Sequence, residues 1–144
     1  MGIEKLDNLV AIGQLKAEQA EDVELAGMMS SGRARLTDAE RSELSFESRF
    51  DLAYNAAHSL ALAALRFHGY RSENRYLVFQ VLQQTVGLAP AEWRVLDKAH
   101  GVRNRSEYEG YLDRDTKLLD SVIRIAREIE KRVVALRNPA ERTP

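Results

Sequence analysis

Between Ala56 and Leu65 the chain reads Ala-Ala-His-Ser-Leu-Ala-Leu-Ala-Ala-Leu, ten residues that are apolar on nearly every side of a helix. Such a helix is stable only when other elements bury it from all directions, so this stretch is expected to be the central element of a helical bundle. The stripe begins upstream with Phe46, Phe50, Ala53 and Ala57 and continues through Leu60, Ala61, Ala64 and Leu65. Ser45 is placed to cap its start and Gly69 to cap its end. Its alanines permit close approach of neighbouring helices.

The rest of the chain supplies those neighbours. Ile3, Leu6, Leu9, Val10 and Leu15 recur at helical spacing and predict an amphipathic helix over Ile3 to Gln19, weakened at Gly13. A shorter apolar set at Val23, Leu25, Ala26, Met28 and Met29 is expected to stop at Ser30-Ser31-Gly32, a loop composition. Thr37-Asp38-Ala39-Glu40 has the capping-box form and predicts a new helix start. Ser72 is placed to cap a helix carrying Tyr76, Leu77, Phe79, Val81, Leu82 and Val86 and ending at Gly87, with Tyr70-Arg71 as connector. Pro90 suits a first helical position. The last helix has the clearest period, Leu119, Val122, Ala126, Ile129, Val133 and Leu136, with Leu118 and Ile125 widening the stripe; Glu128 and Arg132 sit one turn apart outside it. Asn138-Pro139 ends it.

No β-branched run with two-residue alternation occurs, so strands are not expected. The expected architecture is all-α, an antiparallel up-and-down bundle of four long helices plus one or two short N-terminal helices. It divides into an N-terminal helical extension over 1–36, the bundle over 37–138 and a frayed tail over 139–144.

Composition narrows the chemistry. With 144 residues, 44% of them apolar and 30% charged, and with only 3 Pro, the chain suits one ordered domain. The absence of cysteine removes disulfides, thiolate metal sites and thiol nucleophiles. Neither a membrane-length apolar run nor a signal-peptide pattern is present, so a cytoplasmic protein with no membrane partner is expected. A net charge of −1 excludes a strong global field drawing the chain to nucleic acid, so any anion contact must be local. Glycine-rich phosphate loops, HExxH, GxSxG, EF-hand loops and Glu-x-x-His pairs are missing; no metal and no cofactor is expected. His58 and His68, ten residues apart, fall on different helix faces, and His58 is expected to be a hydrogen-bonded core histidine.

The one concentration of polar chemistry is His100-Gly-Val-Arg103-Asn104-Arg105-Ser-Glu107-Tyr108-Glu-Gly110-Tyr111, at the joint between the last two helices. His100 lies one helical turn from both Arg103 and Asn104. A guanidinium beside a carboxamide suits phosphate, because arginine offers a planar fork of donors. Arg105 could add charge, and Tyr108 or Tyr111 a stacking surface for an RNA base. The competing structural reading pairs Arg103 with Glu107, packs His100 at a helix end and uses the tyrosines to plug the joint.

Arg103-Asn104 near the end of the penultimate helix of a helical bundle, followed by Tyr108 and a glycine before the last helix, resembles the HEPN domain family. The stretch from Ala56-Ala57-His58 to Gly69-Tyr70-Arg71 is also similar to small stand-alone members, and the likeness spans about Thr37 to Leu136. The resemblance implies a symmetric homodimer whose two motifs face one cleft. It further implies, for catalytic members, metal-independent cleavage of RNA by an arginine and a histidine, often in toxins or defence proteins paired with a nucleotidyltransferase antitoxin. Here Tyr108 stands where the family has its histidine, and a phenol with a pKa near 10 is a poor base at neutral pH.

The candidate catalytic set is therefore Arg103, Asn104, Tyr108 and His100, with His100 the one group able to replace the missing imidazole. The candidate RNA-binding set is Arg103, Arg105, Tyr108 and Tyr111. The leading expectation is a non-catalytic or weakly active HEPN-like homodimer that binds RNA or a protein partner. The alternatives are a metal-independent endoribonuclease toxin and a protein-interaction module without a nucleic-acid role.

Overall fold

The computed structural model describes residues 2–110 and 114–138 and is an all-α helical bundle. Among the described residues seven helices run in the order α1 (Gly2–Ala11), α2 (Asp22–Ala39), α3 (Phe46–Phe67), α4 (Arg75–Gln80), α5 (Leu82–Thr85), α6 (Pro90–Glu109) and α7 (Thr116–Arg137). The expected centre is the actual one. Ala53, Ala56, Ala57, Leu60, Ala63, Ala64 and Leu65 of α3 are fully buried. Ser45 caps the helix as expected, its Oγ accepting the Ser48 amide at 3.1 Å.

Cross-helix bonds give the directions. Along α2 and α3, Arg66 bonds Glu24, Ser59 bonds the Met28 carbonyl and Arg49 bonds the Ala39 carbonyl, so the two run antiparallel. His100 and Arg103 of α6 meet Tyr54 and Asp51 of α3 in the same reversed order. On the other side of the bundle, Arg137, Glu130 and Arg127 of α7 meet Asp22, Arg33 and Glu40. The long helices thus alternate in direction along the chain, the up-and-down arrangement expected, with α2, α3, α6 and α7 as the four long members.

Several boundaries differ from the sequence expectation, each for a physical reason. The first helix ends at Ala11 and not at Gln19, because Gly13 turns the chain at φ +79°. The segment after it forms β1 (Lys16–Ala17), which pairs antiparallel with β2 (Tyr70–Arg71), a two-residue ladder where no strand was expected. Ser30-Ser31-Gly32 does not end a helix, and Thr37 does not start one. Leu25, Met29, Gly32, Leu36 and Ala39 form one buried stripe at alternating four- and three-residue spacing, so α2 runs straight through position 37. Leu6, Leu15 and Met29 belong to the same hydrophobic cluster as Leu60 and Ile125.

The single helix expected from Ser72 to Gly87 is two short ones, α4 and α5. Its cap is Asn74, whose Oδ1 accepts the Leu77 amide at 3.2 Å. Leu77, Val78, Phe79, Val81 and Leu82 are all buried, so the segment has no continuous polar face to support a long surface helix. Pro90 opens α6 as expected and Gly110 closes it at φ +69°. Buried residues of α7 run from Leu118 to Val133, and Arg132 bonds Glu128 at 2.8 Å as the spacing predicted. The expected helix stop at Pro139 and the tail over 139–144 lie outside the described residues. No described helix is long and apolar enough to cross a membrane.

Candidate binding site at the end of helix α6

Tyr54, fully buried on α3, is the anchor of this region. Its hydroxyl lies 2.6 Å from Nδ1 of His100, and the two rings are 5.9 Å apart. On the far side of the imidazole, Nε2 of His100 lies 3.2 Å from Nδ2 of Asn104. With the Asn104 amide donating, Nε2 is an acceptor, the ring proton sits on Nδ1, and Nδ1–H donates to the Tyr54 oxygen. The one-turn spacing of His100 and Asn104 creates the second contact; the first links residues 46 positions apart.

Arg103 projects from the position just before Asn104 on α6. Its Nε donates to Asp51 Oδ1 at 3.2 Å and its Nη1 to Glu107 Oε2 at 3.3 Å, and its guanidinium carbon stands 5.3 Å from the centre of the Tyr54 ring. The Arg103–Glu107 pair is the one the structural reading of the sequence expected. Both carboxylates are more than half exposed, at 58% for Asp51 and 54% for Glu107. Each of these exposed ion pairs contributes only about 0–1 kcal/mol.

Arg105 is exposed, with Nε 3.9 Å from Glu109. Tyr108 is 81% exposed, so it does not plug the joint before α7. Tyr111 lies outside the described residues. Of the sequence-derived candidates, His100, Asn104 and Arg103 form one connected group, whereas Arg105 and Tyr108 stand outward from the same helix end. His100 lies against its own bundle through Tyr54.

Four residues not singled out from the sequence complete the surroundings. Asp51 and Tyr54 lie one turn apart on α3, and Asn55 receives a hydrogen bond from Arg75 of α4 at 3.1 Å. Arg75 also stands over the Tyr54 ring, 5.5 Å from its centre. The available signal was Tyr54 itself, a polar-tipped aromatic within an otherwise apolar helix, which needs a buried partner for its hydroxyl.

The other histidines separate as expected, without sharing a face. His68 Nε2 lies 2.8 Å from the Thr85 carbonyl, and so carries the proton there. His58 packs edge-on against Phe79, with ring centres 6.0 Å apart, but makes no hydrogen bond among the described residues, contrary to expectation. Burial, with the Arg75 and His100 charges added, pushes its pKa down to about 4. Among the described residues no group of three or more His, Asp and Glu side chains is placed to hold a metal ion. No protein-family model, no curated protein and no solved structure matches the chain.

Proposed function

We propose that this chain is a non-catalytic, HEPN-like homodimer that holds single-stranded RNA on the outer end of α6. Arg103 and Asn104 grip the phosphate backbone, Arg105 adds charge, and the exposed ring of Tyr108 stacks on a base. The observation that carries this reading is the engagement of His100. Both of its ring nitrogens have partners within its own protomer, at 2.6 and 3.2 Å, which leaves the guanidinium of Arg103 with no imidazole free to move a proton beside it. Such a surface binds RNA without cutting it.

Binding of a fluorescent single-stranded RNA, followed by anisotropy, tests the reading. Arg103→Ala is expected to weaken binding at least ten-fold, about 1.4 kcal/mol. It should also lower the salt dependence by about 0.7, the value for one phosphate contact on a single strand. Tyr108→Ala should weaken binding on heteropolymeric RNA while leaving the salt dependence unchanged. RNA binding that is absent, or unchanged in Arg103→Ala, removes the proposal in favour of a protein partner. Fragments ending in cyclic phosphate, formed in the presence of chelator, would instead make the chain an endoribonuclease.

A further inference from the structure

A cavity of about 330 Å3 lies between α2, α3 and the turn joining β2 to α4. Met28 and Leu62, both half-buried, supply its apolar side. Three arginines line it, and two of them are occupied. Arg66 donates to both oxygens of Glu24 and to the carbonyls of Glu18 and Tyr70. Arg71 donates to Glu18 at 3.1 Å.

Arg75 differs from both. Its hydrogen bond goes to a neutral group, Asn55 Oδ1, and no carboxylate of the described residues lies within ion-pair distance of it. Beside it stands His58, whose ring makes no hydrogen bond to another described residue. With its pKa at about 4, the imidazole is neutral at pH 7 and presents one N–H donor and one acceptor. A half-buried guanidinium and a half-buried imidazole, both lacking a charged partner, are the groups a bound molecule would satisfy.

We infer that this cavity binds a small aliphatic carboxylate, with the Arg75 fork taking the carboxylate oxygens, His58 making one hydrogen bond, and Met28 and Leu62 receiving the apolar chain. The volume suits a small organic molecule. The charge selects a monoanion: Arg66, Arg71 and Arg75 against Glu24 and Glu73 leave the lining at +1, and the two glutamates disfavour a phosphate dianion. Carboxylate binding here does not depend on RNA binding, although Arg75 also stands over the Tyr54 ring beside the end of α6, 5.5 Å from its centre.

The test follows the His58 ring resonances by NMR at pH 7 while sodium butyrate or, at matched ionic strength, sodium phosphate is added to the full chain. His68 serves as the internal control. Butyrate is expected to shift the His58 signals saturably, and inorganic phosphate to bind at least ten-fold more weakly. Arg75→Gln should weaken butyrate at least ten-fold. If that variant does not fold, Arg75→Lys, which keeps the charge but loses the fork, should weaken it several-fold. Absence of a saturable butyrate shift, equal binding of phosphate, or unchanged affinity in the folded Arg75 variant overturns the assignment.

Discussion

The Tyr54 hydroxyl and His100 Nδ1 meet at 2.6 Å, the shortest route by which α6 is fastened to the buried helix α3. Tyr54 also packs edge-on against Phe79 at 5.9 Å, so its ring and its oxygen hold different elements. Tyr54→Phe keeps the ring contacts and deletes only the polar one. A net cost of about 1 kcal/mol is expected for that hydrogen bond. Tyr54→Ala also removes the packed ring and should cost about 3–5 kcal/mol. Urea unfolding of the two variants separates these contributions; an unchanged stability in Tyr54→Phe would mean that the hydroxyl contributes nothing, and equal costs that the ring contributes nothing.

His58 makes folding pH-dependent. Its pKa falls from the ordinary 6.5 to about 4 in the folded chain. The unfolded chain therefore binds this proton more readily between those values, and stability declines as pH is lowered through that window. The fall corresponds to at most about 3.5 kcal/mol, at ~1.4 kcal/mol per pH unit. His58→Gln should flatten this part of the profile while leaving the loss below pH 4 in place. Unfolding midpoints of both proteins from pH 4 to 7 measure it, and parallel profiles would rule it out.

Arg66 ties three segments together. It is 3% exposed and bonds Glu24 on α2, the carbonyls of Glu18 and Gln19 just after β1, and the carbonyl of Tyr70 in β2. Arg66→Ala should lower the urea midpoint far more than Arg41→Ala, whose guanidinium is solvated beside Glu43. It should also speed hydrogen exchange at the Glu18 amide, which donates to the Gly69 carbonyl at 2.9 Å.

The same guanidinium sets the titration of Glu24. Its hydrogen bonds hold the Glu24 carboxyl below the ordinary 4.5, so the stabilisation is present above that pH and is lost as pH falls through the lowered value. The stability gap between the parent chain and Glu24→Gln should therefore close on acidification below pH 4. A gap that persists at pH 2 would show that the contact does not depend on the charge.

Features written in adjacent residues were legible in the sequence. Ser45, Pro90, Gly69 and Gly110 mark helix ends by local backbone chemistry, and the all-round apolarity of Ala56 to Leu65 announces a buried helix on its own. Features that depend on distant partners were not. The hydrogen bond that holds His100 lies 46 positions away at Tyr54, and Thr37-Asp38-Ala39-Glu40 has a helix-starting form while lying in the last turn of α2. Arg103, Asn104 and His100 could be grouped from one-turn spacing alone, but their orientation toward α3 could not, because Asp51 and Tyr54 decide it.

Ser30-Ser31-Gly32 reads as a helix stop, yet Gly32 is buried in mid-helix, where a Cβ would lie 2.6 Å from Leu60 Cγ and 2.7 Å from Leu60 Cδ2. The missing side chain is what lets α2 approach α3 at Leu60, itself fully buried and without room to withdraw. Gly27, on the same helix, has nothing within 4 Å of its Cβ position. Replacing an exposed helical glycine by alanine ordinarily stabilises by about 1 kcal/mol, so Gly27→Ala should raise stability by up to that amount. Gly32→Ala gains the same propensity but must push Leu60 out of place, an overpacking cost of about 1–3 kcal/mol, so the net change should be destabilising. Thermal unfolding of the two variants should move in opposite directions from the parent. Stabilisation by both would mean that α2 and α3 are not in close contact at Gly32.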